Sequence, residues 1–200
     1  MPSTDEVAPE LPAATYDLVA AVRDLMVAAA TTEVDVEAIA LARKTVVALS
    51  AELGVDARDR TLRTSFESVA VRLSEGHSWE QDRYNPWSVP LDVWIEDGTA
   101  RARLSAGALH EGPPDLVHGG FSAYLMDCLL GALLVGRGLR AVTAGLEMRY
   151  RNPTPLHTPL ELSAEILEVS GRKIQVAGRI KHGEVVCVEA TGLFVSLENP

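Results

Sequence analysis

The sequence is poor in cysteine and in basic side chains. Its 200 residues include two cysteines, Cys128 and Cys187, which are too few for a disulfide scaffold and lack the paired spacing of a zinc site. We therefore predict no metal and a reduced, cytoplasmic location. Lysine and arginine number 18 against 28 aspartates and glutamates, and the formal net charge is −10. Because nucleic acids and anionic membranes bind cationic surfaces, this charge argues against both as main partners, although a local basic pocket for a small anion stays open.

A secretory signal and a convincing membrane span are also missing. Residues 1–14 are acidic and rich in proline and alanine, without a basic stretch before an apolar one. Residues 119–136 are the one apolar run that must be tested as a span, and their length lies at the lower limit. Their single charged side chain, Asp127, would cost roughly 3 kcal/mol at the bilayer centre. We predict a core helix and no membrane span.

Composition divides the chain near residue 75. Before that point apolar residues recur at helical spacing, and Gly54 is a stop signal. One such face comprises Leu18, Val22, Leu25 and Met26. We predict an N-terminal tail and helical extension over residues 1–74 and a second domain over residues 75–200. Residues 74–90 contain three aromatic side chains, so we expect a loop packed against another part of the protein.

Beyond residue 90 the apolar period changes to two, which is typical of strands. Residues 91–96 and 100–104 predict two strands joined by a tight turn at Asp97-Gly98. After the apolar helix a meander of three or four strands is predicted, with a bulge near Leu167; its segments are 142–150, 160–169, 174–182 and 184–197. A single apolar helix has to be buried by these strands. We therefore predict an α+β fold in which an antiparallel sheet wraps around the helix, with Ala123 and Gly131 admitting strands closely.

The start of this helix is unusual because two glycines follow His118. Gly119 and Gly120 leave backbone N–H groups unshielded where the helix dipole adds roughly half a positive charge. Such a turn can polarise a carbonyl oxygen. Paired glycines also serve tight turns or close packing, and the spacing alone leaves both interpretations open.

Asp127 is the second unusual residue. Its helical neighbours at three and four positions are all uncharged: Ala123, Tyr124, Leu130 and Gly131. A surface aspartate normally shares its helix face with other charged groups, and a carboxylate among apolar groups is costly. The pattern indicates a functional carboxylate, with a structural aspartate bonded to backbone donors as the alternative.

These residues resemble the motif of hotdog-fold acyl-CoA thioesterases, in particular the phenylacetate-type and mammalian thioesterase-superfamily-member branches. The matching features are His118-Gly119-Gly120 with an acid nine positions after the histidine, Glu111 to Pro114, Thr143 sixteen residues after Asp127, residues 150–156, and Gly171-Arg172-Lys173. The resemblance covers about residues 80–197. It implies the hotdog fold, with the helical segment as an N-terminal extension that lies outside the minimal fold. Three roles stay open for this extension: a cap on the acyl pocket, an extension of the oligomer, or no chemical role. It also implies hydrolysis of an acyl-CoA, or a related acyl thioester, to a free acid and a thiol. No cofactor is implied, since coenzyme A is part of the substrate.

The resemblance further implies roles for individual residues. The thioester carbonyl would lie against the Gly120 amide, aided by Gly119, while His118 would hold that turn or contact the carbonyl. Asp127 would act as a general base on water or as a nucleophile that forms a mixed anhydride. Thr143 would help to position the water. By strand alternation Thr143 shares a face with Glu147, where a plain surface threonine is the alternative.

Substrate-binding residues are predicted on the same basis. They are Gly119, Phe121, Tyr124, Asn152, Arg172 and Lys173. Phe121 and Tyr124 would line the acyl pocket, and Arg172 and Lys173 would pair with coenzyme A phosphates, with an ordinary charged hairpin as the alternative. The chain departs from the family pattern at Gly112, where asparagine is usual, and at Asp115, where glycine is common.

Helix geometry adds a constraint on assembly. Gly120 and Asp127 are seven residues apart, so about 10 Å along a helix, and one thioester carbon cannot readily reach both within a chain. We therefore predict a homodimer or higher homo-oligomer with a site shared between protomers, as the resemblance also implies. The alternative function is a non-catalytic hotdog protein that binds acyl-CoA.

Overall fold

A computed structural model describes residue 8 and residues 10–198. The N-terminal part contains three helices, α1 (Glu10–Thr31), α2 (Val36–Leu53) and α3 (Phe66–Ser74). Asp35 caps α2, because its side chain accepts the N–H of Ala38 at 2.8 Å, and Gly54 follows the last residue. The helical spacing predicted before residue 75 is confirmed by α1, which carries the Leu18 to Met26 face, and by α2, whose apolar residues Val36, Ile39, Val46 and Val47 recur less regularly. The helix α3 was not predicted separately.

Seven strands form one antiparallel sheet in the order β1-β2-β3-β5-β6-β7-β4. They are β1 (Trp79–Gln81), β2 (Leu91–Glu96), β3 (Thr99–Ser105), β4 (Ala141–Tyr150), β5 (Pro159–Ser170), β6 (Lys173–His182) and β7 (Val185–Ser196). The predicted hairpin is confirmed, and so are the four strands after the apolar helix. The predicted meander of three or four strands is confirmed for the three strands β5, β6 and β7, whereas β4 pairs with β7 and not with β5. The prediction of a purely irregular segment 74–90 is wrong, because β1 lies within it and pairs with β2. This segment does pack on the protein: the Trp87 and Tyr124 rings meet edge to face at 5.1 Å.

Two bulges change the direction of side chains in the sheet. The bulge predicted at Leu167 is confirmed by the register shift between Ile166 and Glu168. A second shift, between Thr143 and Gly145 of β4, was not predicted. Because side chains alternate with period two, the extra residue places Thr143 opposite the buried Phe194. The prediction that Thr143 shares a face with Glu147 is therefore wrong.

The core is built on α4 (Gly119–Gly136), which packs against strands β2 to β7. Leu125, Leu129, Leu130 and Leu133 are fully buried, and each contributes about 1.5–3 kcal/mol by leaving water. Among the described helices α4 alone is long and apolar enough to cross a membrane, but half of it is buried inside the fold. The predicted α+β arrangement of a sheet around one central helix is confirmed.

Glycines in the neighbouring strands β6 and β7 allow this helix to lie close to the sheet. A Cβ atom at Gly178 of β6 would lie 3.1 Å from the Leu130 side chain, and one at Gly192 of β7 would lie 3.0 Å from it. At Gly131 an added Cβ would meet no atom within 4 Å. The expectation that Gly131 admits a strand is therefore wrong, and the close approach comes from the sheet instead.

The N-terminal helices differ in how they contact the rest of the chain. α3 buries Leu73 against α4, where a Cβ at Gly136 would lie 3.1 Å from the Leu73 Cβ. α1 packs near β1, with the Tyr16 hydroxyl donating to Glu80 at 3.0 Å. In α2 every side chain is exposed. The extension is thus joined to the sheet domain through α1 and α3.

Candidate active site

The loop before α4 is held by backbone hydrogen bonds on two sides. The His118 N–H donates to the His110 carbonyl at 2.8 Å, and the Val117 N–H donates to the Thr154 carbonyl at 2.9 Å. A Cβ atom at Gly112 would lie 2.8 Å from the Cα of His118. Only glycine fits at this position of the present backbone without a shift, and Gly112 is where this chain departs from the asparagine of the family pattern.

The second departure from that pattern also has a conformational explanation. Asp115 has a φ of 64°, in the left-handed region that glycine adopts at least cost and that aspartate tolerates better than most residues. Its N–H donates to the Glu111 carboxylate at 2.8 Å. Asp115 therefore occupies a turn position that favours glycine.

His118 is the N-cap of α4. Its Nδ1 accepts the Gly120 N–H at 3.0 Å, and its carbonyl accepts the Phe121 N–H at 3.0 Å. When the ring is neutral, an accepting Nδ1 places the proton on Nε2. His118 thus holds the glycine turn through Nδ1 and keeps an Nε2–H donor available.

The two glycine amides of this turn are not equivalent. The Gly120 N–H is bonded to His118, whereas the hydrogen bonds among the described residues include none from the Gly119 N–H. The Gly119 carbonyl accepts the Tyr150 hydroxyl at 2.9 Å, and a Cβ at Gly119 would lie 3.3 Å from the Tyr150 ring. The helix start therefore has a free amide at Gly119, in a residue whose carbonyl is fixed by Tyr150.

Asp127 is held from the edge strand. The Thr143 hydroxyl donates to Asp127 Oδ1 at 2.8 Å, which joins the middle of α4 to the bulge of β4. Asp127 is partly exposed, and the ion pairs of the described residues do not include it. One carboxylate oxygen is thus engaged by a neutral donor, and the other is free for chemistry.

A cavity of about 750 Å³ opens beside the first turn of α4. Its lining is mainly apolar and comes from α1, from residues 86–90 and from His118, Gly120, Phe121 and Tyr124. The His110 ring stacks on Phe121 with centroids 4.1 Å apart. The volume lies within the range of small-molecule sites. Neither Gly119 nor Asp127 is among its lining residues.

The other predicted binding residues lie away from this cavity. The Asn152 amide donates to the Val186 carbonyl at 2.7 Å, which ties together two segments of the chain. The Arg172 guanidinium donates twice to the Ser196 carbonyl, at 3.0 and 2.9 Å, and Lys173 is the next residue, at the start of β6. The single-chain structure therefore does not bring these three residues to the first turn of α4.

Two further chemical features concern cysteine and metal ions. Burial raises the pKa of the Cys128 thiol to about 12, so this neighbour of Asp127 is protonated and unreactive at neutral pH. Within residues 10–198 no group of three or more histidine, cysteine or carboxylate side chains is placed to hold a metal ion. The chemistry available at the site is that of amides, hydroxyls, an imidazole and a carboxylate.

Two contributors to this region were not predicted as site residues. The sequence gives Tyr150 only as a member of an alternating strand and of the 150–156 motif, and it leaves the role of the N-terminal helices open between a cap, an oligomer contact and no chemical role. The signal for Tyr150 was its alternation with Leu146 and Met148, which pack against the hydrophobic core. For α1 the signal was an apolar and small-residue face that includes Ala20 and Val27, although the sequence does not show what covers it.

Comparisons with known proteins agree with this geometry. The family model described as thioesterase superfamily matches residues 115–189. Acyl-coenzyme A thioesterase THEM4 of Mus musculus is 34% identical over 98 residues, which cover 48% of this chain and 42% of that protein. Acyl-coenzyme A thioesterase THEM5 of Homo sapiens is 28% identical over 96 residues, covering 46% and 38%. The chain spans less than half the length of these curated relatives.

Solved structures share the architecture over a larger part of the chain. A thioesterase superfamily protein superposes with a TM-score of 0.71 and 29% identity, covering 90% of this chain and 94% of that one. A hypothetical thioesterase protein from Streptococcus pneumoniae TIGR4, solved with coenzyme A, has a TM-score of 0.51 at 17% identity over 55% and 90%, which shows the shared fold. The resemblance found in the sequence is confirmed: the chain carries a hotdog-fold domain of the thioesterase superfamily.

Proposed function

We propose that this protein hydrolyses an acyl-CoA, or a related acyl thioester, to a free acid and a thiol, at a site shared between two protomers. The names of the curated relatives support the acyl-CoA class. The observation that carries the proposal is the pair of features on α4, a helix start with a free amide at Gly119 and an Asp127 carboxylate oriented by Thr143. These are an oxyanion donor and a base or nucleophile, the two groups that thioester hydrolysis requires.

The carbonyl end of the reaction uses the first turn of α4. The thioester oxygen accepts the Gly119 N–H, and the helix dipole stabilises the negative charge that develops there. Tyr150 fixes the orientation of Gly119, while the bond from Gly120 to His118 keeps the turn in shape. The Nε2–H of His118 is free to donate to the same oxygen.

The attacking end uses Asp127. As a general base, its free oxygen takes a proton from water as that water adds to the carbonyl carbon. The C–S bond then breaks and the thiolate takes up a proton. As a nucleophile, Asp127 displaces the thiolate and forms a mixed anhydride, which water hydrolyses. A single turnover in ¹⁸O-labelled water distinguishes the two, because attack of water on the Asp127 side of an anhydride leaves label in the protein.

Sharing between protomers is supported by the separation of the two ends. Gly119 and Asp127 are eight residues apart, so about 12 Å along the helix. β4 is an edge strand whose outer hydrogen-bonding side is unpaired in the sheet, and its Val142 and Tyr150 are 49% and 55% exposed. Unpaired edges are templates for a further strand, and two-fold pairing is the commonest symmetric assembly. A two-fold dimer can bring Asp127 of one copy to the Gly119 turn of the other.

The test combines two single variants. Asp127→Asn is expected to lower kcat for acyl-CoA hydrolysis by about two orders of magnitude or more, since it removes the base. Gly119→Pro removes one amide hydrogen at the first helical position, where proline is tolerated, and a loss of about a hundredfold is expected. Gly119→Ala is the matched control, because it keeps the N–H. Thiol release from an acyl-CoA panel measures all three.

Mixing the two variants tests the shared site. Random pairing makes half of the dimers mixed, each with one intact site of two, so about a quarter of wild-type activity should return. Mixed dimers that form but stay inactive would place each complete site within one chain. A wild-type rate of hydrolysis in Gly119→Pro would mean that the thioester carbonyl oxygen accepts the Gly120 N–H and not the Gly119 N–H. No thiol release from any acyl-CoA, with saturable binding, would establish the non-catalytic alternative.

A further inference from the structure

We infer that α1 is the wall of the acyl-binding cavity and that its inward face selects medium-length and long apolar acyl groups. This inference rests on the proposed function and adds the substrate class. The N-terminal extension lies outside the 115–189 segment that matches the thioesterase superfamily. The extension would therefore select among substrates, while the segment that matches the family would carry the reacting groups.

The cavity lies between α1 and the first turns of α4. On α1 its lining includes Tyr16, Ala20, Arg23 and Val27. Their spacings of four, three and four residues place them on one face of a helix. The opposite wall is formed by Phe121 and Tyr124, next to Gly120. An acyl group that enters at the start of α4 would therefore run between aromatic rings and α1.

The position of α1 is set by polar contacts at the edge of the cavity. The Arg23 guanidinium donates to the Asn85 carbonyl at 3.0 Å and lies 3.7 Å from Glu80. Glu80 also accepts the Tyr16 hydroxyl at 3.0 Å, and the Arg83 guanidinium lies over the Tyr16 ring at 4.4 Å. These contacts join α1 to β1 and the loop after it. Because these contacts fix the position of α1, its inward face can discriminate between acyl groups by their size.

The size and lining of the cavity indicate what it binds. About 750 Å³ is large for a ligand pocket, and an acetyl or butanoyl group would leave most of it unfilled. Most of the lining is apolar or aromatic, and Met26 adds a flexible apolar group. Its charged members are Arg23, Asp24, Glu80 and Glu111, of which Arg23 and Glu80 pair with each other. An extended aliphatic chain buries its methylenes against this lining.

Two adjacent alanines of α1 allow a matched test. Ala20 lines the cavity, whereas Ala21 is exposed and does not. Ala20→Trp fills the space beside α1, and Ala21→Trp adds the same side chain on the outer face. We would measure kcat/KM for butanoyl-, octanoyl- and palmitoyl-CoA, and the affinity of Asp127→Asn protein for palmitoyl-CoA with and without each tryptophan.

The expected result is that the wild type prefers the longer chains. Ala20→Trp should lower the palmitoyl-to-butanoyl ratio of kcat/KM about tenfold or more and weaken palmitoyl-CoA binding, while Ala21→Trp keeps the wild-type ratio. Ala20→Leu is the milder variant if the tryptophan prevents folding. Equal ratios in the two tryptophan variants would overturn the inference. Absence of turnover in every protein would instead overturn the proposed function, and the binding measurement would still test the role of α1.

Discussion

The first turn of α4 and its third turn are both held by strand β4, but in different surroundings. At the first turn Tyr150 bonds to the Gly119 carbonyl, and the neighbouring Gly120 borders a large apolar cavity. At the third turn Thr143 bonds to Asp127, which lies outside that cavity. One helix therefore presents the proposed acyl-binding end and the carboxylate at separate places, which is why the proposed site needs a second copy.

The bulge in β4 makes this double support possible. Thr143 and Tyr150 are seven residues apart, so in a regular strand they would point to opposite faces of the sheet. The shift between Thr143 and Gly145 adds one residue and brings both side chains to the α4 side. A single irregularity in an edge strand thus orients both halves of the proposed site.

The largest effect in this comparison is expected at the carboxylate end. Thr143→Val keeps the shape of the side chain and removes the hydroxyl that donates to Asp127. A hydrogen bond to a charged group contributes about 1.5–3 kcal/mol, so kcat should fall about ten- to hundredfold with little change in KM. Thr143→Ser is the control and should retain most activity. Wild-type kinetics in Thr143→Val would show that Asp127 does not depend on this bond.

A smaller effect is expected at the glycine end. Tyr150→Phe removes a neutral hydrogen bond to the Gly119 carbonyl, worth about 0.5–1.5 kcal/mol, so kcat should fall about two- to tenfold. The ring remains to pack on Gly119. Tyr84→Phe is the control, since its hydroxyl forms no hydrogen bond with the residues the structure describes. A loss in Tyr150→Phe that equals the loss in Thr143→Val would remove the distinction between the two ends.

The smallest expected effect is a loss of thermal stability at acidic pH, caused by His110 beside the cavity. Burial lowers the pKa of His110, which stacks on Phe121. Below about pH 6.5, the ordinary pKa of histidine, His110 is protonated more readily in the unfolded chain than in the folded protein. The free energy of unfolding therefore decreases as the pH falls from this value toward the lowered pKa of the folded state. We expect a small decrease in Tm between pH 7.5 and pH 5.5, reduced in His110→Asn. An equal decrease in Tm in the wild type and in His110→Asn would show that titratable groups other than His110 cause it.

Much of the fold was predictable because it is encoded by local periodicity. The helical spacing of α1 and α2, the alternation in β2 and β3, and the break at Leu167 were visible in the sequence and are confirmed. The cytoplasmic location and a domain boundary after residue 74 stay predictions. The errors at Thr143 and Gly131 have a common reason. The face on which Thr143 lies depends on the register between β4 and β7, and the surroundings of Gly131 depend on how α4 is rotated against the sheet. The local sequence pattern encodes neither the register nor the rotation.

By itself the sequence determined the central apolar helix, its glycine-rich start, the isolated Asp127 and the succession of strands along the chain, because these follow from residue type and period along one segment. Only the tertiary structure decided which glycine amide is free, which side of β4 Thr143 faces, and what α1 covers. These features require contacts between segments far apart in the chain, as between Tyr16 and Glu80, which are 64 residues apart. Packing selects such contacts from many arrangements that local propensity leaves equally open.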